Sequence, residues 1–356
     1  MKILIVRLSA LGDIVHALPV LAAIKHSLPD AEVDWLVEEN YAPILSMAHG
    51  LRRRIIVRAK QSFARPDAVS FGGLMGYSHA AKFLWNQDYD YALDLQGLIK
   101  SAMWARLSFA GRVIGFDAPN LREPQAAMLY STTITPHPPA GQQGAWPAAQ
   151  HVIQKNLSIL SALDIKPTSF DMPLTPSASA DTTAAIEAAG GPMQYVVINP
   201  GAAWPNKRWP PERFGALAQA LHQRSGLRSL VTWGPSEKDL ANRVISASGG
   251  AASLAPPTSV SDLAVLMRGA ALVVSGDTGP LHIAAAMGAP LVGLYGPTWP
   301  ERNGPWHPDD VVISRASVCV CHHKRQCLRG APCINEITLE EVVAASERRL
   351  AATWTT

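Results

Sequence analysis

Hydrophobic and polar positions along this chain follow two patterns: short continuous apolar runs, and longer stretches with apolar residues at helical spacing. Lys2 to Arg7 (KILIVR) reads as a buried strand, Leu8 to Gly12 as a turn, and Asp13 to Ser27 as a helix with Ile14, Leu18, Leu21, Ala22 and Ile24 along one side. Further strands are expected at Glu32 to Val37, Arg54 to Val57, Tyr91 to Leu95 and Arg112 to Phe116, with helices at Tyr41 to Ala48 and Leu98 to Phe109. Such alternation implies a parallel sheet. A Pro- and Gly-rich loop without period, Ile134 to Pro147, precedes a helix from about Ala148 to Leu163.

The same grammar restarts at Tyr195. Strands Tyr195 to Ile198 and Leu227 to Trp233 alternate with a helix Pro211 to Arg224 ended by Gly226, a helix after Pro235, and a helix Ser261 to Arg268 ended by Gly269. The chain is organised around Leu272 to Thr298. There an apolar run ends in the turn Ser275-Gly276-Asp277-Thr278-Gly279, followed by a small-residue helix Pro280 to Met287 and a strand Pro290 to Tyr295. A turn between a parallel strand and a helix offers unpaired N–H groups and a positive helix end, which suit a phosphate or diphosphate. The same residues would serve any α/β protein as a helix cap and turn. Thr338 and Glu341 form a capping box that opens a final helix to about Thr353.

Pro167 to Thr183 (PTSFDMPLTPSASADTT) has the composition of a linker. The expected organisation is α/β: a Rossmann-like domain over residues 1–166, a linker over 167–184, a second Rossmann-like domain over 185–337 and a C-terminal helix over 338–356. The two domains would face each other across a ligand cleft, the arrangement called GT-B. A length of 356 residues is too great for one ordinary core. A net charge of +3 argues against nucleic-acid binding by charge alone. Arg7, Asp13 and His16 interrupt the apolar N-terminus, against a signal peptide, and no charge-free run is long enough to cross a bilayer. A cytosolic protein is expected.

Asp13 lies in the first strand-to-helix loop, where it could act as a general base or simply as a helix-start acid. Asn199-Pro200-Gly201-Ala202-Ala203 follows the first strand of the second domain, in the place of a phosphate turn. Lys207 beyond it could neutralise a diphosphate or be an ordinary loop lysine, and Glu237 could bond a ribose or a base edge, or start a helix. Arg52, Arg53, Arg54, Arg58, Lys60 and Arg65 could meet an anionic acceptor or an acidic membrane surface, though such a set is more often a solvated face. No G-x-G-x-x-G, P-loop or H-E-x-x-H motif occurs. All four cysteines lie between Cys319 and Cys333, with soft ligands enough for zinc but no finger spacing, so reduced thiols are expected.

Five segments together resemble bacterial family 9 glycosyltransferases, the ADP-heptose:lipopolysaccharide heptosyltransferases. They are Arg7 to Asp13 with His16 and Pro19, Asp94 to Ala102 (DLQGLIKSA), Arg122-Glu123-Pro124, Asn199 to Trp209, and Ser275 to Gly296. The second and third look most like the heptosyltransferase I branch. The resemblance implies an inverting GT-B transferase without metal or cofactor, moving L-glycero-D-manno-heptose from ADP-heptose to a Kdo residue of Kdo-lipid A. Asp13 would then be the base. Lys207, Asp277, Thr278 and Gly279 would hold diphosphate and sugar, with His282 nearby and Glu237 on the adenosine side. Ala202 and Ala203 stand where some members carry hydroxyl residues, and can offer only backbone N–H groups. Acceptor binding would fall to Ser9, Gly12, Arg58, Lys60 and Arg122 in the N-terminal domain. The expected location is the cytoplasmic face of the inner membrane of a Gram-negative bacterium, as a peripheral protein without nucleic-acid partners. Competing readings are a family 9 transferase adding another heptose or using another nucleotide sugar, a GT-B nucleotide-sugar epimerase, and a non-catalytic nucleotide-binding protein.

Overall fold

The computed structural model describes residues 1–58, 68–136, 151–167, 171–322, 324–327 and 329–354. The chain divides into two compact units, Met1–Thr175 and Pro176–Thr356. In unit 1 the strands are β1 Lys2–Val6, β2 Glu32–Glu38, β3 Arg53–Arg58, β4 Ala68–Gly72, β5 Tyr91–Asp94, β6 Arg112–Phe116 and β7 Thr132–Ile134. They pair in parallel in the order β4-β3-β2-β1-β5-β6-β7. In unit 2, β8 Tyr195–Asn199, β9 Arg228–Val231, β10 Ala252–Leu254, β11 Leu272–Gly276, β12 Leu291–Tyr295 and β13 Val311–Ser314 pair in parallel as β10-β9-β8-β11-β12-β13.

Both sheets are doubly wound. Strand order reverses between β1 and β5 in unit 1 and between β8 and β11 in unit 2, and the crevice outside the carboxyl ends at such a point is where ligands bind in open α/β sheets. The loops at these two places are those after Val6 and Asp94, and those after Asn199 and Gly276. Their strands are apolar because helices cover both faces: β8, β11 and β12 are buried along their whole length.

The structure differs from the periodicity in instructive places. The expected helix Asp13 to Ser27 is two helices, Leu11–Val15 and Leu18–Ser27. Pro19 lacks an N–H and its ring would collide with the carbonyl of Val15, so the helix restarts with the proline in its first turn. The edge strands β7 and β10 carry only three residues each and are not fully buried, so no apolar run announces them. The stretch expected as a linker is built into both units. Thr175 N donates to Met47 O at 2.9 Å, Ser177 bonds Ser261 in both directions, and Ser179 caps a helix Ala180–Ala188. The expected loop and helix start over residues 137–150 lie outside the described residues.

Candidate functional site

In unit 2 the sequence places Asp277 one residue past β11, and packing draws four side chains onto its buried carboxylate. Lys207 Nζ lies 2.5 Å from Oδ2, which also accepts the Thr298 hydroxyl at 2.7 Å. Asn303 Nδ2 donates to Oδ1 at 2.9 Å, and His282 Nε2 stands 3.3 Å from the same oxygen. Burial alone would push this carboxyl up; the hydrogen bond to His282 and the Lys207 charge outweigh it and hold Asp277 well below the usual carboxylate range. Asp277 therefore remains an anion dedicated to fixing Lys207, whose ammonium also sits 4.8 Å from the Trp204 ring centroid. Thr278, the extended residue before the helix Gly279–Ala286, makes no capping bond with its side chain and is half-buried. Thus neither Asp277 nor the Thr278 hydroxyl caps this helix.

The loop after β8 reaches the same place. Asn199 ties three strand ends together, donating to Ser275 Oγ at 3.0 Å and accepting from Thr232 Oγ1 at 3.1 Å. Gly276 has no room for a side chain, because a Cβ would stand 2.8 Å from Lys207 O. Glu237 folds back onto Gly201, where a Cβ would come within 2.1 Å of its Oε2, and accepts from Gly234 N at 3.1 Å. Ala202 is buried with its carbonyl bonded to Arg208 Nε at 2.7 Å, while Ala203 is exposed. Lys207, Asp277 and His282 thus come together, with Glu237 held separately against Gly201.

The cysteine segment supports the Lys207 loop from behind. Asn206 Nδ2 donates to Lys324 O at 2.9 Å, His322 Nδ1 lies 3.2 Å from Pro297 O, and His322 stacks on Trp299. Cys319, Cys321, Cys327 and Cys333 are free thiols in one cluster. Among the described residues no group of three His, Cys, Asp or Glu side chains is placed to hold a metal. Burial, and then the neighbouring Cys319, push the Cys333 thiol up to about 12. Alkylation near neutral pH should therefore spare Cys333 in the native protein, whereas a urea-unfolded sample should be modified there; peptide mass mapping reads the difference.

In unit 1 Asp13 occupies the first helical turn after β1. Arg7 Nη2 meets Asp13 Oδ2 at 2.9 Å, and Ala10 N donates to the same oxygen at 3.4 Å. Arg7 is itself buried and bonded to the Leu95 carbonyl, so the carboxylate is tied to the end of β5. The neighbouring loop has its own anchor. Buried Asp94 accepts from Gln96 N, Gly97 N, Ser101 Oγ and Tyr130 OH, and Gln96 Oε1 in turn accepts Leu8 N at 2.7 Å and Ser9 N at 3.3 Å. Burial pushes the Asp94 carboxyl up while those donors oppose it. Ser9 lies in the loop after β1 and Gly12 in the helix Leu11–Val15 that follows it, and Arg122 is exposed beside Glu123, which accepts Ile99 N at 2.8 Å.

The basic group does not act as one face. Arg52 binds buried Asp34 through Nε and Nη2 at 2.9 and 2.5 Å and also pairs with Glu32, and Arg53 donates to Gln87 Oε1 at 2.6 Å. Both stand at the amino end of the sheet, about 17 Å along β3 from Arg58 at its carboxyl end. Lys60 and Arg65 lie outside the described residues. Sequence reasoning missed Thr298 and Asn303 because their partner is more than 20 residues away; the only signal was that β12 ends beside β11.

Two doubly wound parallel sheets with polar loops at their switch points define an α/β protein of the GT-B class. Residues 78–331 match glycosyltransferase family 9 (heptosyltransferase), and the chain belongs to that family. It is 30% identical over 335 residues to lipopolysaccharide heptosyltransferase 1 of Pseudomonas aeruginosa, covering 92% of this chain and 87% of that protein. Identity to lipopolysaccharide heptosyltransferase 1 of Escherichia coli is 32% over 318 residues, 88% of this chain and 93% of that one. The solved structure of Escherichia coli heptosyltransferase WaaC with ADP-2-deoxy-2-fluoro heptose matches with a TM-score of 0.73 at 26% identity, covering 98% of this chain and 99% of that one.

Proposed function

We propose that this glycosyltransferase moves L-glycero-D-manno-heptose from ADP-heptose to a Kdo residue of the lipopolysaccharide inner core. The observation that carries the reading is the pair of polar loops at the two switch points, one presenting Asp13 and the other Lys207 on its Asp277 anchor. Names of the relatives above supply the sugar and the pathway.

Asp13 accepts the proton of the acceptor hydroxyl as that oxygen attacks the anomeric carbon. The bond from this carbon to the β-phosphate oxygen breaks, and ADP leaves with its electron pair, inverting the anomeric centre. Lys207 neutralises charge on the departing diphosphate; its ammonium has three donors, one of them directed at Asp277. Backbone N–H groups at Thr278, Gly279 and Ala203 add to this, and Glu237 faces the adenosine. Ser9, Gly12, Arg58, Lys60 and Arg122 serve the anionic acceptor. No step calls for a metal.

ADP release from ADP-heptose should depend on added Kdo-lipid A, with inverted product configuration by NMR. Tight ADP binding without release on that acceptor would point to another acceptor within the family, and donor turnover with no acceptor at all would point to an epimerase.

A further inference from the structure

Unit 1 carries an exposed apolar surface that the site loops do not use. The helix Ile99–Leu107 (IKSAMWARL) buries Ser101, Ala102, Trp104 and Ala105. Its outward face holds Ile99, Met103 and Leu107 at successive turns, with Lys100 and Arg106 interleaved, and the helix contains no acidic residue. Lys100 meets Glu38 at 2.5 Å on the flank; among the described residues no carboxylate pairs with Arg106.

The patch continues past the helix. Phe109 stacks on Trp85 with ring centroids 4.8 Å apart, and Met128 stands on the 3-10 turn Pro124–Leu129 that packs beside the same helix. Trp85, Ile99, Met103, Leu107, Phe109 and Met128 each expose between 39 and 81% of their surface. Scattered apolar residues are normal on a soluble protein. Three at helical spacing, joined by a stacked aromatic pair on a helix whose own charged residues are all basic, instead have the make-up of a helix that lies in a membrane interface.

We propose that this face docks on an anionic bilayer surface, the apolar residues entering the headgroup boundary while Lys100 and Arg106 meet lipid phosphates. The helix opens at the carboxyl end of β5, next to the loop that positions Asp13, and runs back to the amino end of β6, where Phe109 and Trp85 lie, so docking would lay one flank of unit 1 along the membrane. Choosing a bilayer over a protein partner rests on the charge pattern and on the acceptor proposed above being a membrane lipid. No described helix is long and apolar enough to cross a membrane.

The test is cosedimentation of the full chain with vesicles of phosphatidylcholine alone or mixed with phosphatidylglycerol, at low and high salt. Wild type should bind the anionic vesicles, less so at high salt. The double substitution Met103→Glu with Leu107→Glu should weaken binding about tenfold or more, and Arg106→Glu should reduce it on anionic vesicles selectively. Melting temperature, ADP binding and turnover on a lipid-free Kdo acceptor should stay at wild-type values, because these side chains lie outside the site. No wild-type binding, or binding that survives the double substitution, overturns the proposal. A concentration-dependent dimer that the double substitution splits would give the face to a second copy and overturn it as well. Vesicle binding lost in the variant, alongside a wild type inert on every Kdo acceptor, would uphold docking and overturn the acceptor reading.

Discussion

Asp13→Asn should lower kcat about 10²–10⁴-fold, the usual contribution of a general base, while ADP affinity is unchanged. The carboxamide keeps the size of the side chain and can still accept a hydrogen bond from Arg7, which stands 2.9 Å from Oδ2 and is also bonded to Leu95 O. What it loses is the ability to take a proton. Lys207 and Asp277 belong to unit 2, whereas Asp13 belongs to unit 1, so nucleotide binding by calorimetry should not register the change. A second readout separates base from scaffold: wild-type kcat/KM should fall with a single-proton slope on the acid side, and the residual activity of Asp13→Asn should lack that limb. Full activity in the variant would remove Asp13 from the mechanism.

Asp277→Ala should be the most destabilising single change at the unit 2 site. It leaves the Lys207 ammonium without its carboxylate, and also leaves the Thr298 hydroxyl, the Asn303 amide and the His282 ring without the oxygens they meet. Breaking a buried pair on one side costs about 3–5 kcal/mol, so melting should fall on the order of 10 °C, and donor affinity should drop because Lys207 loses its position. Hydrogen exchange of the β11 and β12 amides reports unit 2 by itself. The pH dependence follows from the depressed native carboxyl. The unfolded chain binds the proton first, near 3.9, so the stabilisation is complete above about pH 4 and is lost as pH falls from there toward the native value. The gap between wild type and Asp277→Asn should accordingly be widest at neutral pH and shrink in acid. A gap independent of pH would mean that the anion does not stabilise the fold.

Much of the framework was legible in the chain itself. Buried central strands such as β1, β8, β11 and β12 are continuous apolar runs, because helices cover both faces of a parallel sheet. The Thr338–Glu341 capping box is present, with Thr338 N on Glu341 Oε2 at 2.8 Å and Glu341 N on Thr338 Oγ1 at 3.2 Å, since a cap joins residues only one turn apart. Placement of the Ser275–Gly279 turn at the end of β11 followed from the same local rules, whereas Asp13, expected in the loop where the helix begins, is the third residue of the helix Leu11–Val15.

What only the tertiary structure decided are the partners. Lys207 and Asp277 lie 70 residues apart, and strand order alone, with β11 beside β8, brings them together. Arg52 looked like one of a basic cluster, yet register sets it against Asp34 and Glu32 at the far end of the sheet from Arg58. Gly201 looked like a turn glycine, and its actual neighbour is the Glu237 carboxylate. Local periodicity states which face of an element is buried, because burial of apolar surface is nearly indifferent to the identity of the covering residue. A buried charge is different: its cost is met only by a particular partner at hydrogen-bond distance, and that distance is set by how the sheet is wound.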